Sequence, residues 1–522
     1  MQTCNVLYIN VHPSREQDHN HQLMDSYTIA IFTLFLLICF HGIFGLKERK
    51  KLPPGPRGLP IIGNLFAIGD RPHESLAKLA KIHGPLMTIQ LGFNTTVVAT
   101  SAEMAKEILL KNDQAFLGRP IPHAVTAEHN YELSVAWLSG GPKWRSLRKI
   151  CNSQIFTPQR LDALQGLRNQ MMNGMVKAIT QASEAKEPIN IGRLVFGTTL
   201  NLLSNSMFCV DILDSKSNAI EELKQLIGKI MELSGKPNLS DFFPFLKPLD
   251  PQGIKREIKI SYDHMHSLLD GIVGQRLKRR KSSSERYGDF LDILLDQSQV
   301  SSGSEELSRE DVIILLADLF IGGTDTTTTT MEWAMAELLH NPHIMAKAKQ
   351  ELVETIGIRK TIEEKDVIKL PYLQSVIKET MRLHTTAPLL LPHRAEMDVE
   401  ICGYTIPKHT QVFVNAWALA RDPQYWDDPT EFVPERFMKS EVDFRGTNFY
   451  FVPFSSGRRI CPGLALAIRM MCSLLASLIL HFEWQLPSGM TPKAMDMTDR
   501  FGTTLQKATP LFAIPLVVDD KY

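Results

Sequence analysis

Apolar positions are unevenly spread along the chain, and the first strong feature is a nearly unbroken run from Tyr27 to Leu46. About 20 residues of this kind suffice to cross a bilayer as one helix. The run ends on Lys47-Glu48-Arg49-Lys50-Lys51, and the positive-inside rule then places everything downstream in the cytosol, an orientation that leaves the sequons at Asn94 and Asn238 unglycosylated. A cleaved leader fits less well, because its charges would precede the apolar stretch and a small-residue cleavage site would follow it. Residues 1–26 are polar, carry His12, His19 and His21, and show no hydrophobic period. They read as an extension without an assigned role, and Met24 offers a second translation start.

Past the anchor, Pro53, Pro54, Pro56 and Pro60 exclude helix and central strand, so residues 47–60 form a basic, stiff hinge. Residues 61–522 then form one large unit, with no long linker dividing them. Leu86–Leu91 and Val97–Thr100 predict a hairpin turning through Gly92-Phe93-Asn94. From Thr157 to Leu295 the apolar spacing is mostly helical, broken by loops at Asp241–Gly253 and at the basic, serine-rich Lys278–Arg286. Ser298–Glu306 is a further polar break. Ser308-Arg309-Glu310-Asp311 predicts a capping box that opens a helix running from Val312 to about Leu339. Leu373–Leu383 and Leu464–Leu480 predict further helices, and Val412–Asn415 a small strand. The fold class is therefore mainly α with small β-sheets (α+β).

Composition changes little in this picture. Lys and Arg number 57 against 57 Asp and Glu, so charge gives no reason to propose nucleic acid or another polyanion as a partner. Seven cysteines, odd in number and scattered, argue against a disulfide framework. The chemistry gathers elsewhere, in Phe454-Ser455-Ser456-Gly457-Arg458-Arg459-Ile460-Cys461-Pro462-Gly463. A lone cysteine is ordinarily a small buried hydrophobe, and Cys39, Cys151, Cys209, Cys402 and Cys472 take that reading. Cys461 differs, because it precedes a helix N-terminus, where backbone N–H groups and the macrodipole favour a thiolate. The predicted helix from Ser308 holds the second constellation, Gly322-Gly323-Thr324-Asp325-Thr326-Thr327. Glycine costs about 1 kcal/mol in a helix interior, and threonines bend helices by bonding back to i−4 carbonyls. A kinked core helix would show the same pattern.

The decapeptide around Cys461 resembles the heme-binding signature Phe-x-x-Gly-x-Arg-x-Cys-x-Gly of the cytochrome P450 superfamily at every fixed position. The resemblance implies a cytochrome P450 fold preceded by a single N-terminal transmembrane helix, with heme b (iron protoporphyrin IX) as cofactor. Cys461 would be its axial metal ligand. Asp325 and Thr326 resemble the acid–alcohol pair that delivers protons, through water, to the dioxygen being reduced. Gly322 and Gly323 would widen the helix groove beside oxygen, substrate and cofactor. Trp144 and Arg148 would bond the heme propionates, with Arg119, His393 and Arg459. Glu379, Arg382 and Arg436 would form a structural charge network. Two departures stand out: many plant relatives carry arginine at the position of His393 and Pro-Pro at Thr385-Thr386.

Pro53-Pro54-Gly55-Pro56, Lys149–Gln154, Asp250–Gly253 and Asp496–Gly502 are similar to the plant microsomal family that contains geraniol 8-hydroxylase and ferruginol synthase. The implied activity is monooxygenation of a lipophilic small molecule, most simply hydroxylation of a terpenoid. The implied pocket wall, which includes Phe116–Val135, Phe208, Leu319–Thr327, Ala387–Leu391 and Phe501–Thr504, is mostly apolar and does not name the substrate. Electrons would come from NADPH through NADPH-cytochrome P450 reductase, with cytochrome b5 as a second donor, because the chain has no nucleotide-binding glycine fingerprint. The implied site is the endoplasmic reticulum membrane, single-pass, catalytic domain cytosolic. Rival readings are a heme-thiolate isomerase or dehydratase on the same fold, disfavoured by Asp325-Thr326, a hydroxylase of a phenolic or alkaloid precursor, and a heme-binding membrane scaffold.

Overall fold

The computed structural model describes residues 51–128, 131–209, 219–282, 286–300, 307–357, 362–487 and 489–518, together with Tyr27 and Thr33. The expected extension 1–26, the anchor apart from Tyr27 and Thr33, and most of its basic flank lie outside the described residues.

Proline at the first turn, where a missing N–H costs nothing, starts helix α1 (Pro142–Ile150). Next come the helices α2 (Ile191–Phe208), α3 (Ala219–Gly235) and α4 (Ile254–Ser282). Helix α5 (Arg309–His340) begins with the expected capping box: Ser308 Oγ accepts from Asp311 N, and Asp311 Oδ2 accepts from Ser308 N at 2.8 Å. Pro371 opens α6 (Pro371–Leu383), and Gly463 caps α7 (Leu464–His481). Helices α5 and α7 are long and apolar enough to cross a membrane, yet 72% and 67% of their apolar windows are buried inside the protein. They are the core against which the other helices pack.

The predicted hairpin is present as β1 (Leu86–Leu91) antiparallel to β2 (Asn94–Ala99). Strand β2 starts three residues before the apolar pattern does, because Thr95 and Thr96 extend it with β-branched side chains. The sheet continues in the order β1-β2-β4-β3, with β3 at His393–Arg394 and β4 at Gln411–Val414. A bridge between Gly118 and Arg394 ties residue 119 to this edge. A separate two-stranded ribbon pairs β5 (Asp499–Arg500) with β6 (Gln506–Lys507).

Two predicted breaks are displaced. The basic run at Lys278 is helical to Ser282, not a loop, because its arginines find buried acids. Arg276 meets Asp289 at 2.6 Å and Asp292 at 2.9 Å, and Arg280 meets Asp292 at 2.7 Å. Likewise Ser298 belongs to a helix, Phe290–Val300; residues 301–306 lie outside the described residues.

Candidate active site

Gly457 starts the Cys461 loop at φ +63°, and a Cβ built there would sit 1.9 Å from the Leu109 carbonyl oxygen. Only glycine satisfies both demands. Gly457→Ala should therefore destabilise by about 1–3 kcal/mol from left-handed strain alone, with the Leu109 clash added; an unchanged urea midpoint would contradict the loop geometry. After one 3₁₀ turn at Gly457–Arg459, Cys461 N donates to Phe454 O at 2.9 Å, and α7 begins three residues later. Burial pushes the Cys461 thiol up, opposed by the Gly463 and Leu464 N–H groups and by the Arg148 charge. The expectation that the helix terminus lowers this pKa is thus outweighed by desolvation in the protein alone.

Cations surround the loop. Arg119 donates to the carbonyls of Leu391 (2.7 Å) and Pro392 (2.8 Å). Arg459 donates to Leu117 O at 2.6 Å and Val135 O at 3.3 Å, with its guanidinium 4.4 Å from the Trp144 ring centroid. Trp144 Nε1 donates to the same Val135 carbonyl at 3.3 Å, and Arg148 donates to Ile460 O. These guanidinium groups are thus directed at backbone carbonyls. Burial presses the pKa of both Arg119 and Arg459 down, helped by the charge of Arg459 at Arg119 and by that of Arg148 at Arg459. Arg119 Nε and His393 Nε2 are buried without a hydrogen-bond partner. A cleft of about 590 Å³ lies beside the loop, lined by Gln114, Trp144, Arg148, Lys149, Arg458 and Ile460 among others; Cys461, Arg119, His393, Arg459 and α5 do not line it. A soft sulfur ligand beside clustered cationic donors, one with a spare buried N–H at Arg119 Nε, suits an anionic metallocofactor such as heme. His393 fits conditionally. Its Nδ1 lies 2.7 Å from Phe116 O, which can only accept, so the proton is assigned to Nδ1 and neutral Nε2 is an acceptor. Burial, Arg119 and Arg459 all oppose the imidazolium; an arriving carboxylate would favour it.

Helix α5 packs against α7. Its partly exposed positions Asp318, Gly322 and Thr326 recur every fourth residue and form one stripe. Nothing lies within 4 Å of a Cβ built on Gly322, so that side of the helix is open. Gly323 is turned elsewhere: its Cβ position is 3.0 Å from Leu203 of α2, a close helix–helix contact. The expected back-bonds form, Thr326 Oγ1 donating to Gly322 O at 2.7 Å, with Thr324, Thr328 and Thr330 doing the same one turn back. Asp325 does not bond Thr326. It is buried, with its carboxylate accepting from Thr504 Oγ1 (2.7 Å) and Gln506 Nε2 (2.9 Å). Burial holds its pKa up, against these two donors.

Asp318 and Gln506 escape a reading of the sequence, and Thr504 enters it only as the end of the implied pocket wall, not as a partner of Asp325. Asp318 accepts from Ser134 Oγ (2.9 Å) and Val135 N (2.7 Å), and so braces the segment whose Val135 carbonyl receives Trp144 and Arg459. Its signal was available: it is the lone acid in the apolar run Val312–Ile321. Behind the site, Arg382 and Glu379 are fully buried and pair through two bonds of 2.7 and 2.8 Å, and Arg436 joins Glu379 at 3.0 Å.

Residues 53–512 match the family model described as Cytochrome P450. The chain is 49% identical to geraniol 8-hydroxylase of Catharanthus roseus over 493 residues, which covers 94% of this chain and 99% of that protein. It is 48% identical to geraniol 8-hydroxylase of Swertia mussotii, covering 94% and 99%. Drimenol monooxygenase of Persicaria hydropiper is 44% identical, covering 92% and 96%.

Proposed function

The chain belongs to the cytochrome P450 family, as a heme-dependent monooxygenase of the geraniol 8-hydroxylase group, and from that premise we propose that it hydroxylates a lipophilic terpenoid. Relatives named for geraniol, drimenol and geranylhydroquinone match along nearly their whole length, and this breadth across isoprenoid substrates is the observation that carries the reading.

Bound heme supplies the oxygen-activating chemistry; the chain's own residues position and feed it. Cys461 would hold the iron through its thiolate, with the Gly463 and Leu464 N–H groups and Arg148 balancing the charge. Arg119, Arg148, Trp144 and Arg459 would hold the propionates, joined by His393 once protonated. Thr326, on the open stripe, would hold water or substrate through its hydroxyl oxygen. Asp325 would restore the proton that Thr326 passes on. Gly322, on the open side, would allow close approach of the α5 backbone beside the cofactor, while Gly323 serves the contact with α2. The mostly apolar wall leaves substrate selection to shape. Residues 27–46 would anchor the protein in the endoplasmic reticulum membrane with the catalytic domain in the cytosol, where NADPH-cytochrome P450 reductase and cytochrome b5 can dock.

The test is turnover of the purified full chain with reductase and NADPH on a panel of monoterpene alcohols, drimane alcohols, prenylated quinols and simple phenolics, under isotopically labelled dioxygen. One labelled oxygen in a terpenoid product is expected. Preference for the phenolics, or an unlabelled isomer as product, overturns the reading.

A further inference from the structure

The ribbon β5–β6 does more than pack. Its register places Arg500 opposite Gln506, and the Gln506 amide is engaged at both ends: Arg500 Nη2 donates to its Oε1 at 3.1 Å, and its Nε2 donates to Asp325 Oδ1 at 2.9 Å. Thr504 Oγ1 holds the other carboxylate oxygen at 2.7 Å and lies 3.3 Å from Gln506 Nε2. A buried acid is thus joined to an exposed guanidinium through a single amide whose dipole is aligned with both.

The clamp is itself anchored on three sides. Leu505 N donates to Thr386 O at 2.8 Å, Trp333 Nε1 donates to Leu505 O at 3.1 Å, and Thr503 Oγ1 donates to Met231 O at 2.7 Å. Donors fixed in this way cost little entropy when they bind.

We propose that Gln506 and Thr504, with Arg500 behind them, are positioning residues that hold the Asp325 carboxylate in its ionised form and away from Thr326, and so set how readily it exchanges protons. The proposal rests on the reading that Asp325 supplies protons. Hydrogen bonds to a charged acceptor favour the charged form, and low local polarity strengthens such a chain. Lys224 of α3 and Arg500 favour ionised Asp325, while Glu332, about two turns along the same face of α5, opposes it. The two donors are not equivalent. When Asp325 takes up a proton on Oδ2, Thr504 Oγ can turn from donor to acceptor and stay bonded, whereas Gln506 Nε2 can only donate and keeps a weaker bond to Oδ1, now a neutral carbonyl.

The experiment uses the full-length heme-loaded protein. In the resting, substrate-free state, the carboxylic-acid infrared band lost in Asp325→Asn is titrated in Gln506→Leu. Its midpoint should rise by about one pH unit, the scale of a lost hydrogen bond to a charged group. With substrate and reductase, the share of NADPH electrons recovered as product should fall several-fold and peroxide should rise, with KM unchanged. Thr504→Ser should behave as the parent, and Thr504→Val should move midpoint and coupling in the direction of Gln506→Leu but by less, because Thr504 can serve either form of the acid. Arg500→Gln, a surface change that leaves the fold intact, should move midpoint and coupling in the same direction by less, and serves if Gln506→Leu does not fold. Unchanged midpoint and coupling in Gln506→Leu or Arg500→Gln, beside an uncoupled Asp325→Asn, overturn the clamp and leave the proton role standing. Full coupling in Asp325→Asn overturns the proton role and this proposal with it.

Discussion

Heme-loaded Cys461→Ser should lack the red-shifted Soret band of a reduced, carbonyl-bound heme-thiolate, and its monooxygenase turnover should fall to background. Serine is close in size to cysteine, and the anchors of the loop do not use the sulfur: Cys461 N reaches Phe454 O, and Arg148 reaches Ile460 O. Stability should therefore change by only about 1 kcal/mol, so the spectrum reports ligand chemistry and not collapse. The other buried thiols are poor substitutes. Burial pushes Cys151 and Cys472 up to about 12, and neither stands at a helix N-terminus. An unaltered spectrum in Cys461→Ser would assign the iron to another ligand and dismantle the site as described.

Arg382→Leu should destabilise the protein by about 3–5 kcal/mol, the cost of leaving a buried charge uncompensated. Total stabilities of only about 5–15 kcal/mol make that loss severe. Arg382 is fully buried, and besides Glu379 it serves the carbonyls of Ala420 (2.8 Å), Pro429 (2.7 Å) and Glu431 (2.9 Å). Leucine strands all three. Glu379 keeps Val433 N at 2.8 Å and Arg436 at 3.0 Å, but the two hydrogen bonds from Arg382, half of its four, are gone. Arg382→Lys should recover little, because one ammonium cannot copy a planar fork that reaches two elements. Denaturant unfolding followed by circular dichroism measures the loss, and a midpoint equal to the parent's would show the network to be dispensable.

Local features were legible in the sequence and remote ones were not. The Ser308 cap, the threonine back-bonds of α5, the Gly92 turn and the helix after Cys461 each depend on residues within four positions of one another, and each is where the pattern placed it. The Glu379–Arg382 pair was visible as a spacing, but not its burial. Asp325 was found by its motif, while its partners Thr504 and Gln506 lie 179 and 181 residues away, beyond the reach of any periodicity. The same distance hid the carbonyls that receive Arg119 and Arg459. Even the misplaced loop at Lys278 has this cause: Arg276 and Arg280 look solvated until the acids of the following helix are brought against them.

The guanidinium cluster around the cysteine loop also bears on how the protein accumulates. Arg119 and Arg459 are buried side by side and opposed to each other, so the folded polypeptide carries an electrostatic load that an anionic cofactor relieves. Whatever binds only the folded form raises its stability by mass action, by about 2.7 kcal/mol at a hundredfold excess over Kd. Cellular heme supply thereby becomes a term in the folding equilibrium of this chain. In a heme-starved cell the shortfall would appear first as less protein, cleared by proteolysis, before it appeared as inactive enzyme.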